Sequence, residues 1–230
     1  MRKYLVVDDN RAFAENLAEI LRDEGADVTL AASGNDALKL AERTRFDALV
    51  TDMRMPVMSG ARLVHEIRRL DPALPAIVVT AYTGEDDLVA AREEGLLAVL
   101  PKPVPLKQLF ALLKVARRDG LVALVEDNSS FADNLAEALR TRGFSAVTAH
   151  SVSETERLGG VRPFAALVDL RLPGGADGAA LKRLLERFPA LPVLVMTGYA
   201  EAMACAGNLP CYSKPLNTAE ILGAVEKLWH

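Results

Sequence analysis

Residues 46–52 read Phe-Asp-Ala-Leu-Val-Thr-Asp, a short apolar run that ends in a carboxylate. Residues 5–10 read Leu-Val-Val-Asp-Asp-Asn and have the same form, with two adjacent acids after the run. Runs of branched aliphatic residues without polar alternation are typical of strands buried on both faces, as in a parallel sheet covered by helices. The two stretches therefore predict buried strands of an α/β fold whose carboxyl ends carry acids.

The same features return in the second half of the chain. Each half contains four features in the same order: an acid pair, a central Asp, an apolar run that ends in Thr, and a Lys-Pro pair. In the first half they lie at 5–10, 46–52, 76–80 and 102–103. In the second half they lie at 124–128, 164–169, 193–197 and 214–215. The acid pair precedes the central Asp by 43 residues in the first copy (Asp9 to Asp52) and by 42 in the second (Asp127 to Asp169). A repeat longer than roughly 50 residues is typical of duplicated domains, because solenoid repeats are shorter. We predict two domains, 1–118 and 121–230.

Strand-like runs alternate with helix-period segments, which predicts a βα unit repeated five times in each half. Strands are predicted at 4–8, 27–31, 47–51, 76–80 and 97–100, then near 121–125, 145–149, 164–168, 192–197 and 210–213. Helices are predicted at 11–24, 34–44, 60–70, 85–94, 105–117 and 217–229. The interval from Thr197 to Lys214 is five residues shorter than the interval from Thr80 to Lys102. We therefore expect a shortened fourth helix over 199–209 in the second half.

The composition excludes several classes of function. Half of the 230 residues are hydrophobic and the net charge is −4, so the chain lacks the basic excess of a nucleic-acid-binding protein. No apolar run approaches the roughly 20 residues of a membrane helix, and no secretory signal is expected at the amino terminus. Cys205 and Cys211 have no companion ligands, so we expect reduced thiols in a cytoplasmic protein.

The acids should converge on one site. Ligands of an open parallel sheet bind beyond the carboxyl ends of its strands. The first half places five polar side chains at those ends: Asp8, Asp9, Asp52, Thr80 and Lys102. Three carboxylates need a cation, and an all-oxygen site favours Mg²⁺. Acids, a divalent metal, a hydroxyl and an ammonium together suit phosphoryl transfer to a carboxylate.

With these motifs in this order, both halves resemble receiver domains of two-component response regulators, which implies two flavodoxin-like (βα)5 doubly wound domains. By that resemblance Asp52 is the phosphoacceptor, Thr80 and Lys102 bind the phosphoryl group, and Asp8 acts on the metal through water. The metal ligands implied are Asp9, Asp52 and the backbone carbonyl of Arg54. The matching positions of the second domain are Glu126, Asp127, Asp169 (also a phosphoacceptor), Arg171, Thr197 and Lys214.

The resemblance also implies cis peptide bonds at Lys102-Pro103 and Lys214-Pro215. The family's aromatic switch position, three residues before the lysine, holds Val99 in the first domain and Cys211 in the second. This departure argues against the usual rotation of an aromatic ring. Tyr212 is one position later, and strand alternation would point it to the other face.

We expect a protein that takes phosphate from a histidine kinase or phosphotransfer protein and switches the binding of a downstream protein, without enzymatic activity and without direct nucleic-acid or membrane binding. Phosphorylation would bias a face made by the fourth helix, fifth strand and fifth helix. His65, His150 and His230 lack partner acids, so we interpret them as structural or surface residues and not phosphodonors.

Alternatives remain open from the sequence. The chain could be a scaffold of inactive receivers or a fragment of a larger regulator or hybrid kinase, and both a dimer and pairing of the two receivers within one chain are open. An Asp-nucleophile phosphatase is less favoured. Such enzymes carry an Asp-x-Asp-x-Thr pattern on the first strand, whereas here the acids are adjacent and the proposed acceptor lies on the third strand.

Overall fold

The computed structural model describes residues 1–81, 95–198 and 206–229. It divides into two compact units, unit 1 (Met1–Asp119) and unit 2 (Gly120–His230). The predicted helix at 85–94 and most of the predicted short helix at 199–209 lie outside the described residues. Among the helices of the described ranges, none combines the length and the apolar composition that crossing a bilayer requires.

Unit 1 is a five-stranded parallel sheet flanked by helices. Its elements are β1 (Lys3–Val7), α1 (Arg11–Asp23), β2 (Asp27–Ala31), α2 (Gly34–Arg43), β3 (Ala48–Asp52), α3 (Gly60–Leu70), β4 (Ala76–Thr80), β5 (Ala98–Pro101) and α4 (Leu106–Val115). The strand order is β2-β1-β3-β4-β5. Because the order reverses between β1 and β3, a crevice opens beyond their carboxyl ends.

Unit 2 repeats this architecture. Its elements are β6 (Leu121–Val125), α5 (Ser129–Thr141), β7 (Ser145–Ala149), a 3₁₀ helix (Glu154–Gly160), β8 (Ala165–Asp169), α6 (Ala179–Arg187), β9 (Val193–Thr197), β10 (Cys211–Ser213) and α7 (Thr218–Trp229). The strands pair in parallel in the order β7-β6-β8-β9-β10, which corresponds to that of unit 1. The observed strands agree with the predicted ones to within one residue at each end.

The side chains of the buried strands contribute to two hydrophobic cores in unit 1, one on each face of the sheet. Leu5 and Leu49 pack with α2 and α3, whereas their neighbours Val6 and Val50 pack with α1 and α4. Successive strand residues point to opposite faces, so continuous apolar runs are what a sheet covered on both sides requires. The predicted α/β fold with two doubly wound parallel sheets is confirmed.

Helix starts follow from local capping. Asn10 and Asn128 accept a hydrogen bond from the backbone N–H three residues later, at Phe13 and Phe131, and so cap α1 and α5. The second helix of unit 2, expected by repetition of unit 1, is instead the short 3₁₀ helix. Its seven residues end in two glycines, which have low helix propensity.

Candidate functional site

The candidate site of unit 1 lies beyond the carboxyl ends of β1, β3 and β4. Asp8 follows β1, Asp52 ends β3 and Thr80 ends β4, and all three side chains are buried, whereas Asp9 is exposed. Lys102 follows β5, and its backbone N–H donates to the carbonyl of Thr80 at 2.8 Å. The structure therefore brings together residues from four separate strands.

Lys102 bridges the two buried acids. Its Nζ lies 2.7 Å from Oδ2 of Asp8 and 2.6 Å from Oδ1 of Asp52. The ammonium also lies 4.3 Å from the centroid of the Phe13 ring, close enough for a cation–π contact. Burial lowers the pKa of Lys102, but hydrogen bonds to Asp52 and Asp8 outweigh that effect and raise the pKa above its usual value. The lysine therefore stays charged at neutral pH.

Backbone groups fix the orientation of both carboxylates. The N–H of Arg54 donates to Oδ2 of Asp52 at 2.7 Å, and the N–H of Asn10 donates to Oδ1 of Asp8 at 2.9 Å. At the start of α3, Gly60 sits so close to β3 that a Cβ there would lie 2.2 Å from the carbonyl oxygen of Asp52. Only glycine allows this approach of helix to strand.

Unit 2 builds the same bridge with a longer acid. Nζ of Lys214 lies 2.9 and 2.6 Å from the two carboxylate oxygens of Glu126 and 2.6 Å from Oδ2 of Asp169. The N–H of Arg171 donates to Oδ1 of Asp169 at 3.0 Å, as that of Arg54 does in unit 1. Burial raises the pKa of the Glu126 carboxyl group, and the contacts with Lys214 oppose that effect.

The carboxylates of unit 2 converge on a small volume. Glu126, Asp127 and Asp169 each offer an oxygen, and these oxygens lie within 4.8 Å of one another. Within residues 1–81, 95–198 and 206–229 this is the only group of three metal-ligating side chains so close together. An all-carboxylate donor set suits a hard cation such as Mg²⁺, so the residues present fit the metal that the sequence predicted.

The remaining predicted features take the following places. Thr197 is buried at the end of β9, and the N–H of Lys214 donates to its carbonyl at 2.8 Å, as at Thr80. Both Lys-Pro bonds are cis, as predicted. Val99 is partly buried against the core on the α2 and α3 face, and Tyr212 packs into the core with residues of α5 and α7. Tyr212 therefore lies on the α5 and α7 face of its sheet, whereas Val99 lies on the opposite face of the sheet in unit 1, as alternation predicted.

The sequence interpretation missed one residue beside the site. His150 follows β7, and its Nδ1 lies 2.8 Å from the backbone carbonyl oxygen of Glu126. The sequence did not indicate that His150 lies beside the site, because the partner of its imidazole is not an acidic side chain. Its partner is a backbone carbonyl 24 residues away.

The comparisons with known proteins agree with this geometry. The family model described as "Response regulator receiver domain" matches twice, over residues 4–114 and 122–226. Response regulator receiver protein Anae109_2439 of Anaeromyxobacter sp. (strain Fw109-5) is 64% identical over 228 residues, covering 99% of this chain and 95% of that protein. Response regulator MprA of Mycobacterium ulcerans is 31% identical over 184 residues, covering 80% of this chain and 78% of its own length.

Among solved structures, the receiver domain of the sensor histidine kinase PA1611 from Pseudomonas aeruginosa, with a magnesium ion coordinated in its active site cleft, is 33% identical. It has a TM-score of 0.46 and covers 49% of this chain and 94% of that one. The two matches of the family model cover nearly the whole chain, and the match to the relative at 64% identity covers 99% of it. The chain belongs to the response regulator receiver family and carries two receiver domains in tandem.

Proposed function

We propose that each receiver domain accepts a phosphoryl group on the aspartate that ends its third strand, Asp52 in unit 1 and Asp169 in unit 2. This proposal rests on the lysine bridge, the pair of contacts by which Lys102 binds Asp8 and Asp52, and Lys214 binds Glu126 and Asp169. In both units one partly buried ammonium lies 2.6 Å from the acceptor carboxylate and also contacts a second acid, which follows the first strand of the unit. A fixed positive charge beside the attacking carboxylate is what phosphoryl transfer requires, since charge on the phosphoryl oxygens must be balanced.

The proposed donor is a phosphohistidine on a histidine kinase or phosphotransfer protein. An oxygen of Asp52 attacks phosphorus, so that an O–P bond forms as the P–N bond breaks, and the imidazole leaves with the electron pair and takes a proton from solvent. The backbone N–H of Arg54 orients the carboxylate, Lys102 contacts the transferred group, and the Thr80 hydroxyl donates a hydrogen bond to one of its oxygens. Thr197 and Lys214 have the same roles in unit 2.

The acidic residues are proposed to hold Mg²⁺. In unit 1 the ligands are Asp9, Asp52 and the carbonyl of Arg54, with Asp8 acting through water; in unit 2 the equivalent residues are Asp127, Asp169, Arg171 and Glu126. Bound Mg²⁺ supplies positive charge to the phosphoryl oxygens. The convergence of three carboxylates in unit 2 supports this assignment.

The proposed output is a change in protein binding and not catalysis on a separate substrate. Phosphorylation of Asp52 removes the carboxylate charge to which Lys102 is bound and places a phosphoryl group beside it. The lysine and the ends of β4 and β5 must then adjust to a new partner, which would alter the surface that a downstream protein recognises.

The test is Mg²⁺-dependent labelling of the full chain by acetyl phosphate. We expect two phosphoryl groups on the wild type, one on Asp52→Asn or Asp169→Asn, and none on the double variant. Asp23→Asn and Asp133→Asn, at exposed positions on α1 and α5, serve as matched controls and should label like the wild type. Labelling of the double variant at the wild-type level would reject both acceptor assignments.

A further inference from the structure

Unit 2 contains a side-chain contact to its acid pair that the corresponding position of unit 1 cannot make. His150 is the first residue after β7, the strand that pairs with β6. Its Nδ1 lies 2.8 Å from the carbonyl oxygen of Glu126. A carbonyl oxygen only accepts hydrogen bonds, so Nδ1 carries the proton and donates.

This contact fixes a specific peptide unit. The N–H of Glu126 donates to the carbonyl of Ala149 at 3.0 Å, so the end of β7 binds both backbone polar groups of Glu126. The carbonyl of Glu126 belongs to the planar peptide that leads into Asp127. A hydrogen bond to that carbonyl therefore restrains the direction in which the chain presents the exposed Asp127 carboxylate.

His150 is itself held in place by the segment that follows it. Its backbone N–H donates to a carboxylate oxygen of Glu154 at 3.0 Å, and Glu154 pairs with Arg157 at 3.0 Å. Both partners belong to the 3₁₀ helix that unit 2 has where unit 1 has the regular helix α2. His150 thus contacts the 3₁₀ helix through its backbone N–H and the Glu126 carbonyl through its imidazole.

The corresponding position in unit 1 is Ala32, which follows β2. There the N–H of Asp8 donates to the carbonyl of Ala31 at 3.2 Å, so the backbone arrangement is the same. A methyl group cannot donate to the Asp8 carbonyl. The unit with the histidine is also the unit whose three carboxylates lie within 4.8 Å of one another.

We propose that His150 is a positioning residue of unit 2, which orients the Glu126–Asp127 peptide so that the three carboxylates are arranged for a divalent cation. The inference rests on the proposed function, in which unit 2 binds Mg²⁺. Groups that orient metal ligands without touching the metal typically contribute about 10- to 100-fold to metal affinity.

The test measures Mg²⁺ binding by isothermal titration calorimetry on the full chain. Asp9→Asn and Asp52→Asn are introduced first, to remove binding by unit 1, and this double variant is the parent. We expect His150→Ala to weaken Mg²⁺ binding to unit 2 by about tenfold. His150→Asn should restore most of the affinity, because the Asn amide nitrogen can donate from nearly the position of Nδ1. His65→Ala, on the exposed face of α3, is the matched control and should leave binding unchanged.

Thermal unfolding separates positioning from a general structural role. Trp229 is the single tryptophan of the sequence and packs edge-on against Phe144 and Phe164, so its fluorescence reports on unit 2. Mg²⁺ binding that is equal in the parent and in His150→Ala would overturn the inference and leave the proposed function intact, whatever the change in unfolding temperature. A parent that binds no Mg²⁺ would overturn both the inference and the proposed metal site of unit 2.

Discussion

The Nζ of Lys102 lies 2.6 Å from Oδ1 of Asp52, although α3, β4 and β5 lie between the two residues along the described part of the chain. The same ammonium binds Asp8, so one positive charge serves two buried carboxylates. Like charges buried close together are unfavourable unless a cation lies between them. The site is therefore held together by the group that we propose to contact the incoming phosphoryl group.

We expect Lys102→Ala to slow phosphorylation of Asp52 roughly 100-fold, the usual effect of removing one charged or hydrogen-bonding group from a developing anion. The measurement is the rate of labelling by acetyl phosphate in an Asp169→Asn background, where only unit 1 can react. Lys107→Ala removes an exposed lysine from α4 and is the control. An unchanged rate in Lys102→Ala would show that the bridge has no part in the transfer.

Gly60→Ala should destabilise unit 1 by about 2 kcal/mol or more, within the range of overpacking substitutions. The added Cβ would lie 2.2 Å from the carbonyl oxygen of Asp52, so helix α3 and the acceptor strand must separate. Gly223→Ala is the matched control, because a Cβ there meets nothing within 4 Å and the residue lies inside α7. That variant should be neutral or more stable than the wild type.

Differential scanning calorimetry of both glycine variants measures the effect on unfolding. Labelling of Asp52 should also decline in Gly60→Ala, since the carboxylate is displaced with its strand. Equal unfolding temperatures for Gly60→Ala and the wild type would contradict the close approach.

Arg68→Ala should cost unit 1 about 2 to 4 kcal/mol, because it leaves two carbonyl acceptors without their charged donor. The guanidinium of Arg68 is buried and donates to the carbonyl of Pro72 at 2.8 Å and to that of Gly95 at 2.7 Å. It thereby connects the end of α3 to the segment that leads into β5. The neighbouring Arg69 is exposed, so Arg69→Ala should change stability by no more than about 0.5 kcal/mol.

Hydrogen exchange followed by mass spectrometry assigns the effect to unit 1. Peptides covering α3 and β5 should exchange faster in Arg68→Ala and not in Arg69→Ala. Similar exchange in the two variants would show that the buried guanidinium contributes no more than an exposed one.

Glu154→Gln should destabilise unit 2 at neutral pH and have less effect in acid. The backbone N–H of His150 is the main reason that the pKa of the Glu154 carboxyl group is lowered, and Arg157 adds to the effect. A carboxyl group whose folded pKa is below the unfolded value of about 4.3 stabilises the fold above that pH. The stabilisation is lost as the pH falls through the lower, folded pKa.

Urea unfolding followed by Trp229 fluorescence measures this difference between the variant and the wild type at several pH values. The two proteins should differ most near pH 7 and converge as the pH falls through the lowered pKa of Glu154. A difference that grows as the pH falls would have the wrong sign for a lowered pKa.

Much of the site could be predicted from sequence because strand ends are a local property. Apolar runs ending at Asp8, Asp52 and Thr80 mark strands, and parallel strands present their carboxyl ends at one edge. The spacing repeated in both halves supplied the second site in the same way. The sequence pattern was therefore enough to predict that residues at the ends of separate strands lie in one site.

The tertiary structure decided which of these groups touch and what supports them. The lysine bridge depends on side-chain lengths and on the register of β4 with β5, and the tight contact at Gly60 depends on how α3 packs on β3. The sequence did not point to His150, because the partner of its imidazole is the backbone carbonyl of Glu126, 24 residues away along the chain. The sequence by itself determined where the strands lie along the chain and which side chains follow their carboxyl ends, since both follow from local patterns. The contacts that orient these side chains were decided by the tertiary structure. They join atoms that are far apart in sequence, and separation along the chain does not tell how close two atoms lie in space.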